Sequence, residues 1–303
     1  MFDHVTIRVS DRAASEDFYA VVLRTLGIGI SVRSKSYVEW DDFALALANV
    51  ETRMMNAKPP TRRLHAAFVA PSREHVGEFW RVGTEAGYRD NGAPGPRSQY
   101  RDDYYGAFLL DPDGNSVEAV HHSALRRGGW IDHLWIRVAD IEASWRFYAT
   151  IAPIAGLRVR RVSDDRAQIT GLTGSFSVVA GEPTEEVHLA FPAPDDATVD
   201  AFHRAATAAG YRDDGAPGKR VVYHAGYYAA FVLDPDGNNI ELVHHNARPR
   251  RVASSRAGSA CLDQPWPADS DCIDADSICE RLISEGRNRQ SQIAALDCPD
   301  VSG

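Results

Sequence analysis

The chain repeats itself. Residues 86–122 and 209–245 align without gaps and are identical at 25 of 37 positions, and residues 2–22 match residues 131–151 at 11 of 21. Two copies of one unit of about 125 residues, followed by a tail, therefore account for the 303 residues. Boundaries are expected near 1–123 and 129–247, with 248–303 left over as a low-complexity tail. Each copy is itself double. Val5, Ile7 and Val9 alternate with His4, Thr6 and Arg8 as one strand, and a helix runs through Phe18 towards Gly27. Short strands follow near Tyr37–Trp40 and Phe43–Ala48. The pattern then restarts with a strand at Leu64–Ala70, a helix over 72–86, and strands at Tyr105–Leu110 and Ser116–His121. The turn Asp111-Pro112-Asp113-Gly114 joins the last two, with Pro pre-setting φ and Gly accepting a positive one. The predicted fold is α+β, with four βαβββ modules in the chain.

Composition narrows the function classes. A 44% hydrophobic and 25% charged chain is that of a globular protein. The net charge of −9, without a basic run, argues against a nucleic-acid partner. Apolar stretches such as Tyr227–Leu233 are too short to span a bilayer, which takes about 20 residues. The first residues enter a strand pattern directly, without a signal-type apolar segment, so a cytoplasmic address is expected. All four cysteines (Cys261, Cys272, Cys279, Cys298) lie in the tail at spacings that match no zinc pattern. The two copies are therefore expected to use neither a thiolate nor a disulfide. Tail composition, rich in Ser, Ala, Asp and Arg, predicts disorder.

The chemistry sits on the polar faces of three strands. His4 lies opposite Val5 and Ile7, His65 opposite Ala66 and Phe68, and Glu118 opposite Val117 and Ala119; His133, His188 and Glu241 repeat this in the second copy. If the apolar faces pack on the helices, these side chains point into whatever cavity the sheet encloses. Two imidazoles and one carboxylate form a triad with open coordination positions, suited to Fe(II), Mn(II), Zn(II) or Ni(II). A single histidine on such a strand is usually just a solvated side chain. Recurrence of all three residue types in two diverged copies favours the metal reading.

At these residues the chain resembles the vicinal oxygen chelate superfamily: glyoxalase I, fosfomycin-resistance proteins, extradiol dioxygenases and bleomycin-resistance proteins. The resemblance rests on the opening strands with His4 and His133, on Phe18-Tyr19 and Phe147-Tyr148, and on the DPDGNxxE signatures Asp111–Glu118 and Asp234–Glu241. It covers residues 1–246 and implies paired βαβββ modules curled into open barrels around a divalent metal. It also implies electrophilic catalysis on a small substrate that chelates through adjacent oxygens. The implied ligands are His4, His65, Glu118, His133, His188 and Glu241. Departures are informative. Ala46 and Val179 stand where glyoxalase I carries a further Glu ligand. His224 matches the acid histidine of extradiol dioxygenases, but its counterpart is Arg101, and Phe231 and Phe108 replace the dioxygenase Tyr. Fosfomycin-resistance proteins share the two-His, one-Glu set but are single-unit chains, and bleomycin-binding proteins generally lack the ligands. Two arrangements are open: each unit closes its own cup, giving His4/His65/Glu118 and His133/His188/Glu241, or, as analogy with dimeric relatives favours, the modules pair across the duplication. His4 then joins His188 and Glu241, and His133 joins His65 and Glu118. Such a chain acts as a monomeric pseudo-dimer or as a homodimer.

Weaker candidates are the recurring pairs Tyr104-Tyr105 and Tyr227-Tyr228, as pocket-lining residues, with Tyr105 and Tyr228 taken as the substrate contacts. Arg97 and Arg220 recur in a Gly/Pro-rich loop (GAPGPR, GAPGKR), as gates or anion anchors. The doublets His121-His122 and His244-His245 read as surface residues. Two functional classes remain: a metal-dependent enzyme, lyase- or isomerase-like or ring-cleaving, and a non-catalytic protein that sequesters an antibiotic. Metal content separates them.

Overall fold

The structure is a computed structural model that describes residues 1–51, 56–123 and 128–246. The expected tail and its cysteines lie outside the described residues. Four modules follow one another along the chain. The first holds β1 (His4–Val9), α1 (Arg12–Arg24), β2 (Val32–Arg33), β3 (Tyr37–Trp40) and β4 (Phe43–Leu47). The second holds β5 (His65–Val69), α2 (Arg73–Glu85), β6 (Arg89–Pro96), β7 (Tyr105–Leu110) and β8 (Ser116–His121). The third holds β9 (Ile131–Val138), α3 (Ile141–Ile151), β10 (Arg158–Ser163), β11 (Arg166–Thr170) and β12 (Ser175–Ala180). The fourth holds β13 (His188–Pro192), α4 (Asp196–Ala208), β14 (Asp213–Lys219), β15 (Tyr227–Leu233) and β16 (Asn239–His245).

Apolar spacing marks all four helices described, and α1, α3 and α4 add a side-chain cap that α2 lacks. Asp11 caps α1 through the amide of Ala14, and Ser15, Phe18, Tyr19, Val22 and Leu23 are buried on one stripe. Asp140 and Asp195 cap α3 and α4 in the same way. Strand side chains on the helix side, such as Val5, Ile7 and Val9, are fully buried. They join Phe18, Phe147 and Phe202 in one core that all four modules share. The opposite strand faces are left for polar residues.

Both sheets are crossed. One runs β14-β15-β16-β13-β1-β4-β3-β2 and the other β10-β11-β12-β9-β5-β8-β7-β6. Each eight-stranded sheet thus takes one module from each copy, and neither closes into a barrel. The central seams are antiparallel: Thr6 lies opposite His188 across β1 and β13, and Ala67 opposite His133 across β5 and β9. One expectation needs correcting. The Gly/Pro-rich segments are edge strands, β6 and β14, rather than loops. Glycine makes the pairing possible: Gly92 sits at φ +150°, and a Cβ there would lie 2.9 Å from the Phe108 ring.

Candidate metal centres

Strand periodicity and sheet order together bring the six expected residues into two groups. In one, His4, His188 and Glu241 offer ligand atoms within 4.8 Å of one another; in the other, His65, Glu118 and His133 do the same. Each group draws on both copies of the repeat. His188 Nε2 is 3.0 Å and His4 Nε2 3.7 Å from Glu241 Oε2. In the second cup His65 Nε2 is 3.0 Å and His133 Nε2 3.6 Å from Glu118 Oε2. Both carboxylates are 1% exposed.

The surroundings decide which ring nitrogens face inward. His4 Nδ1 lies 2.9 Å from Asp3 Oδ1, and His133 Nδ1 lies 2.8 Å from Asp132 Oδ2. His188 Nδ1 lies 2.6 Å from Asn239 Oδ1, and the amide of Asn239 is oriented by donating to Asp214. These Nδ1 atoms are therefore donors, which leaves lone pairs on the inward Nε2 atoms. In the first cup the two bare Nε2 atoms stand 3.1 Å apart beside a buried carboxylate. Lone pairs and negative charge that converge so closely repel unless a cation lies among them. The donor set thus fits a divalent metal bound by two imidazoles and a carboxylate. Burial pulls the His4 pKa down, but its bond to Asp3 and the charge of Glu241 outweigh this and hold it above the ordinary value. Burial also works against the Asp3 charge, yet bonds from His245 and His4 keep its carboxyl below the usual range.

The same counting by twos sorts the Tyr and His pairs and corrects which member of each faces the site. Tyr104 and Tyr227, not Tyr105 and Tyr228, face the cups: their hydroxyls donate to Glu118 Oε1 at 2.7 Å and Glu241 Oε1 at 2.6 Å. Tyr105 and Tyr228 point to the helix side, where Arg73 stacks on Tyr105 and the Tyr228 hydroxyl bonds Asp200. The second histidine of each doublet is likewise a cup residue. His122 is 7% exposed, with Nε2 3.2 Å from Asp132, and His245 Nε2 lies 2.9 Å from Asp3 Oδ2. His224 lines the first cup and donates from Nε2 to His245 Nδ1 at 2.8 Å, while its Nδ1 accepts from the Gly226 amide. A directed chain His224–His245–Asp3–His4 results. In the second cup Arg101 replaces His224 and turns to Asp103, so the chain stops at His122. Arg97 and Arg220 line their cups but bond carbonyls of the edge strands that precede them, Ala93 and Ala216, and stack on Phe108 and Phe231.

The family model described as Glyoxalase/Bleomycin resistance protein/Dioxygenase superfamily matches residues 1–119 and again 130–242. The chain belongs to this superfamily. Among solved structures, glyoxalase I from Zea mays is similar with a TM-score of 0.56 at 18% identity, covering 80% of this chain and 92% of that one. A putative dioxygenase from Bacillus subtilis subsp. subtilis str. 168 is similar with a TM-score of 0.54 at 14% identity, covering 81% and 85%. A comparison with curated proteins gives no match. These likenesses support the glyoxalase-type fold. Ala46 and Val179 pair with Arg8 and Arg137, so neither cup has a carboxylate at those two strand positions. Among the described residues no helix is long and apolar enough to cross a membrane.

Proposed function

We propose that this protein is a divalent-metal-dependent enzyme of the glyoxalase and dioxygenase type, whose two cups act on small molecules that chelate through neighbouring oxygens. The observation that carries this reading is the pair of inward triads, each with two imidazoles and a buried carboxylate oxygen within 4.8 Å of one another. A metal held there, Fe(II), Mn(II), Zn(II) or Ni(II), would polarise the oxygens of a chelating substrate. The chain's own residues prepare that role. Asp3, Asp132 and Asn239 fix the tautomers of His4, His133 and His188. Tyr104 and Tyr227 occupy one oxygen of each glutamate and leave the other turned inward. Burial and the adjacent glutamate raise both phenol pKa values, so these hydroxyls stay protonated. In the first cup, His224 and His245 donate in series and end on Asp3, a chain that orients the residues behind His4. Cavities of about 670 and 700 Å³ suit a small-molecule substrate.

Metal analysis of the purified chain tests the proposal, with two equivalents per chain expected. A chain that neither carries nor takes up a divalent metal would point instead to antibiotic sequestration. Oxygen consumption on catechols by the Fe(II)-loaded protein would mark ring cleavage. Turnover without oxygen on Zn, Ni or Mn would mark lyase or isomerase chemistry.

A further inference from the structure

Identical triads sit under walls that have diverged in charge. Register makes the comparison position by position. Along β9, β12 and β11, Trp135 pairs with Ser177 and Ser177 with Gln168; Arg137 pairs with Val179 and Val179 with Arg166. The corresponding rows of the first cup are Thr6, Ala44 and Glu39, then Arg8, Ala46 and Tyr37. One cup has Trp, Gln and Arg where the other has Thr, Glu and Tyr. On the neighbouring strand Arg160, outside the cavity lining, donates to Gln168 Oε1 at 3.2 Å. The cavity over His65, Glu118 and His133 is lined by four arginines, Arg97, Arg101, Arg137 and Arg166, and by two carboxylates, Glu118 and Asp132, both turned to histidines. Seven carboxylates against three cations line the other, and its Lys58 is paired with Glu186.

We infer that the two cups serve different ligand classes, and that the His65/Glu118/His133 cup binds a small flat molecule carrying a carboxylate or phosphate, held by Arg166 and Arg137. Arg166 is prepared for this. Its guanidinium stacks on Trp135 with 4.5 Å from the carbon to the ring centroid, and Nε and Nη2 bond Ser177 Oγ. Those contacts leave Nη1 to meet an anion and fix the fork at little entropic cost. Trp135, edge-on to Tyr100 and His65, supplies the flat wall. The cups also differ at His122, which lines this cavity: its Nε2 faces Asp132 and its buried Nδ1 has no hydrogen-bond partner. Its counterpart His245 is satisfied by His224.

The inference rests on the metal-centre reading only for its location, because anion binding is measurable without metal. Benzoate, phenyl phosphate and the neutral benzamide are titrated calorimetrically into the metal-free full-length chain, with metal uptake measured separately. One equivalent of an aromatic anion per chain is expected, with no benzamide binding at the same concentration. Arg166→Gln and Gln168→Glu should each weaken it about tenfold, and Arg137→Gln/Arg166→Gln should abolish it. Glu39→Gln, in the other cup, should leave it unchanged. The stronger of the two anions identifies carboxylate or phosphate as the group held. No anion binding, equal binding of benzamide, two equivalent sites, or indifference to the arginine variants each overturns the inference. Anion binding without metal uptake would defeat the metal reading and leave this one standing. Metal uptake without anion binding would do the reverse.

Discussion

Asp3 shows how much of each proposed centre depends on residues behind the candidate ligands. Its two oxygens accept from His4 Nδ1 and His245 Nε2, so one carboxylate sets a tautomer and ends a hydrogen-bond chain. Asp3→Asn keeps the shape but presents an amide to one of two N–H donors. We expect one of the two metal sites to weaken 10- to 100-fold, the usual cost of losing such a partner, with the other unaffected. Asp132→Asn should do the same to the opposite site, and a two-site metal titration of each variant reads the outcome. Unchanged isotherms would remove these aspartates from the account. At this scale the triads are legible in the sequence because strands alternate with period two and the duplication shows each residue twice. Tyr104 and His122 obey the same alternation from Glu118, since Phe108 pairs with Glu118 and 118, 120 and 122 share a face. Reading Tyr-Tyr and His-His as doublets hides this, because neighbouring strand residues face opposite ways.

Secondary elements differ in how far their residues betray them. Capped amphipathic helices and strands of apolar alternation are visible directly, whereas β6 and β14 are not, because Gly and Pro carry no strand signal. Only pairing with β7 and β15 makes them strands. Helix–sheet fit is likewise a tertiary property. A Cβ on Gly83 in α2 would lie 2.3 Å from Leu109 Cδ1 and 3.3 Å from Val22 Cγ1. The matching positions of the second copy are Ala206 and Val232, both fully buried, so one methyl group has moved across the interface. Gly83→Ala should therefore cost about 1–3 kcal/mol by overpacking, and adding Leu109→Val should restore most of it. Urea unfolding of the singles and the double measures that coupling, and additive costs would contradict it. The DPDGN turn makes a pH prediction. Burial, opposed by bonds from Asn238, raises the Asp234 pKa from 3.8 to about 6. Its folded pKa is the higher one, so its stabilising contribution is complete below about pH 4 and is lost as pH rises through 6. Relative to Asp234→Asn, the wild type should lose up to about 3 kcal/mol between pH 4 and pH 7 in urea melts. A pH-independent difference would mean the carboxyl titrates normally.

For the whole molecule, duplication at the sequence level does not mean two self-contained halves. Sheet order is a long-range property that local patterns leave open, and the crossed expectation rested on family analogy. The structure shows what holds the exchange in place. The segments linking the modules of each copy run side by side: Thr61 Oγ1 donates to Glu186 O at 2.8 Å, Thr184 Oγ1 to Arg63 O at 2.9 Å, and Arg62 bridges Glu185. Both threonines are fully buried, and their amides bond Arg8 O and Arg137 O on β1 and β9. The crossing is therefore tied to the strands that carry Thr6 and Trp135 next to the centres. Metal stoichiometry tests this arrangement. His4→Ala/Glu241→Ala places both changes in one triad, and one metal per chain should survive. His4→Ala/Glu118→Ala damages both triads, and bound metal should fall towards none, with circular dichroism showing that each variant is folded. If each copy built its own centre, the two results would be exchanged, because Glu118 would then belong with His4 and Glu241 with His133.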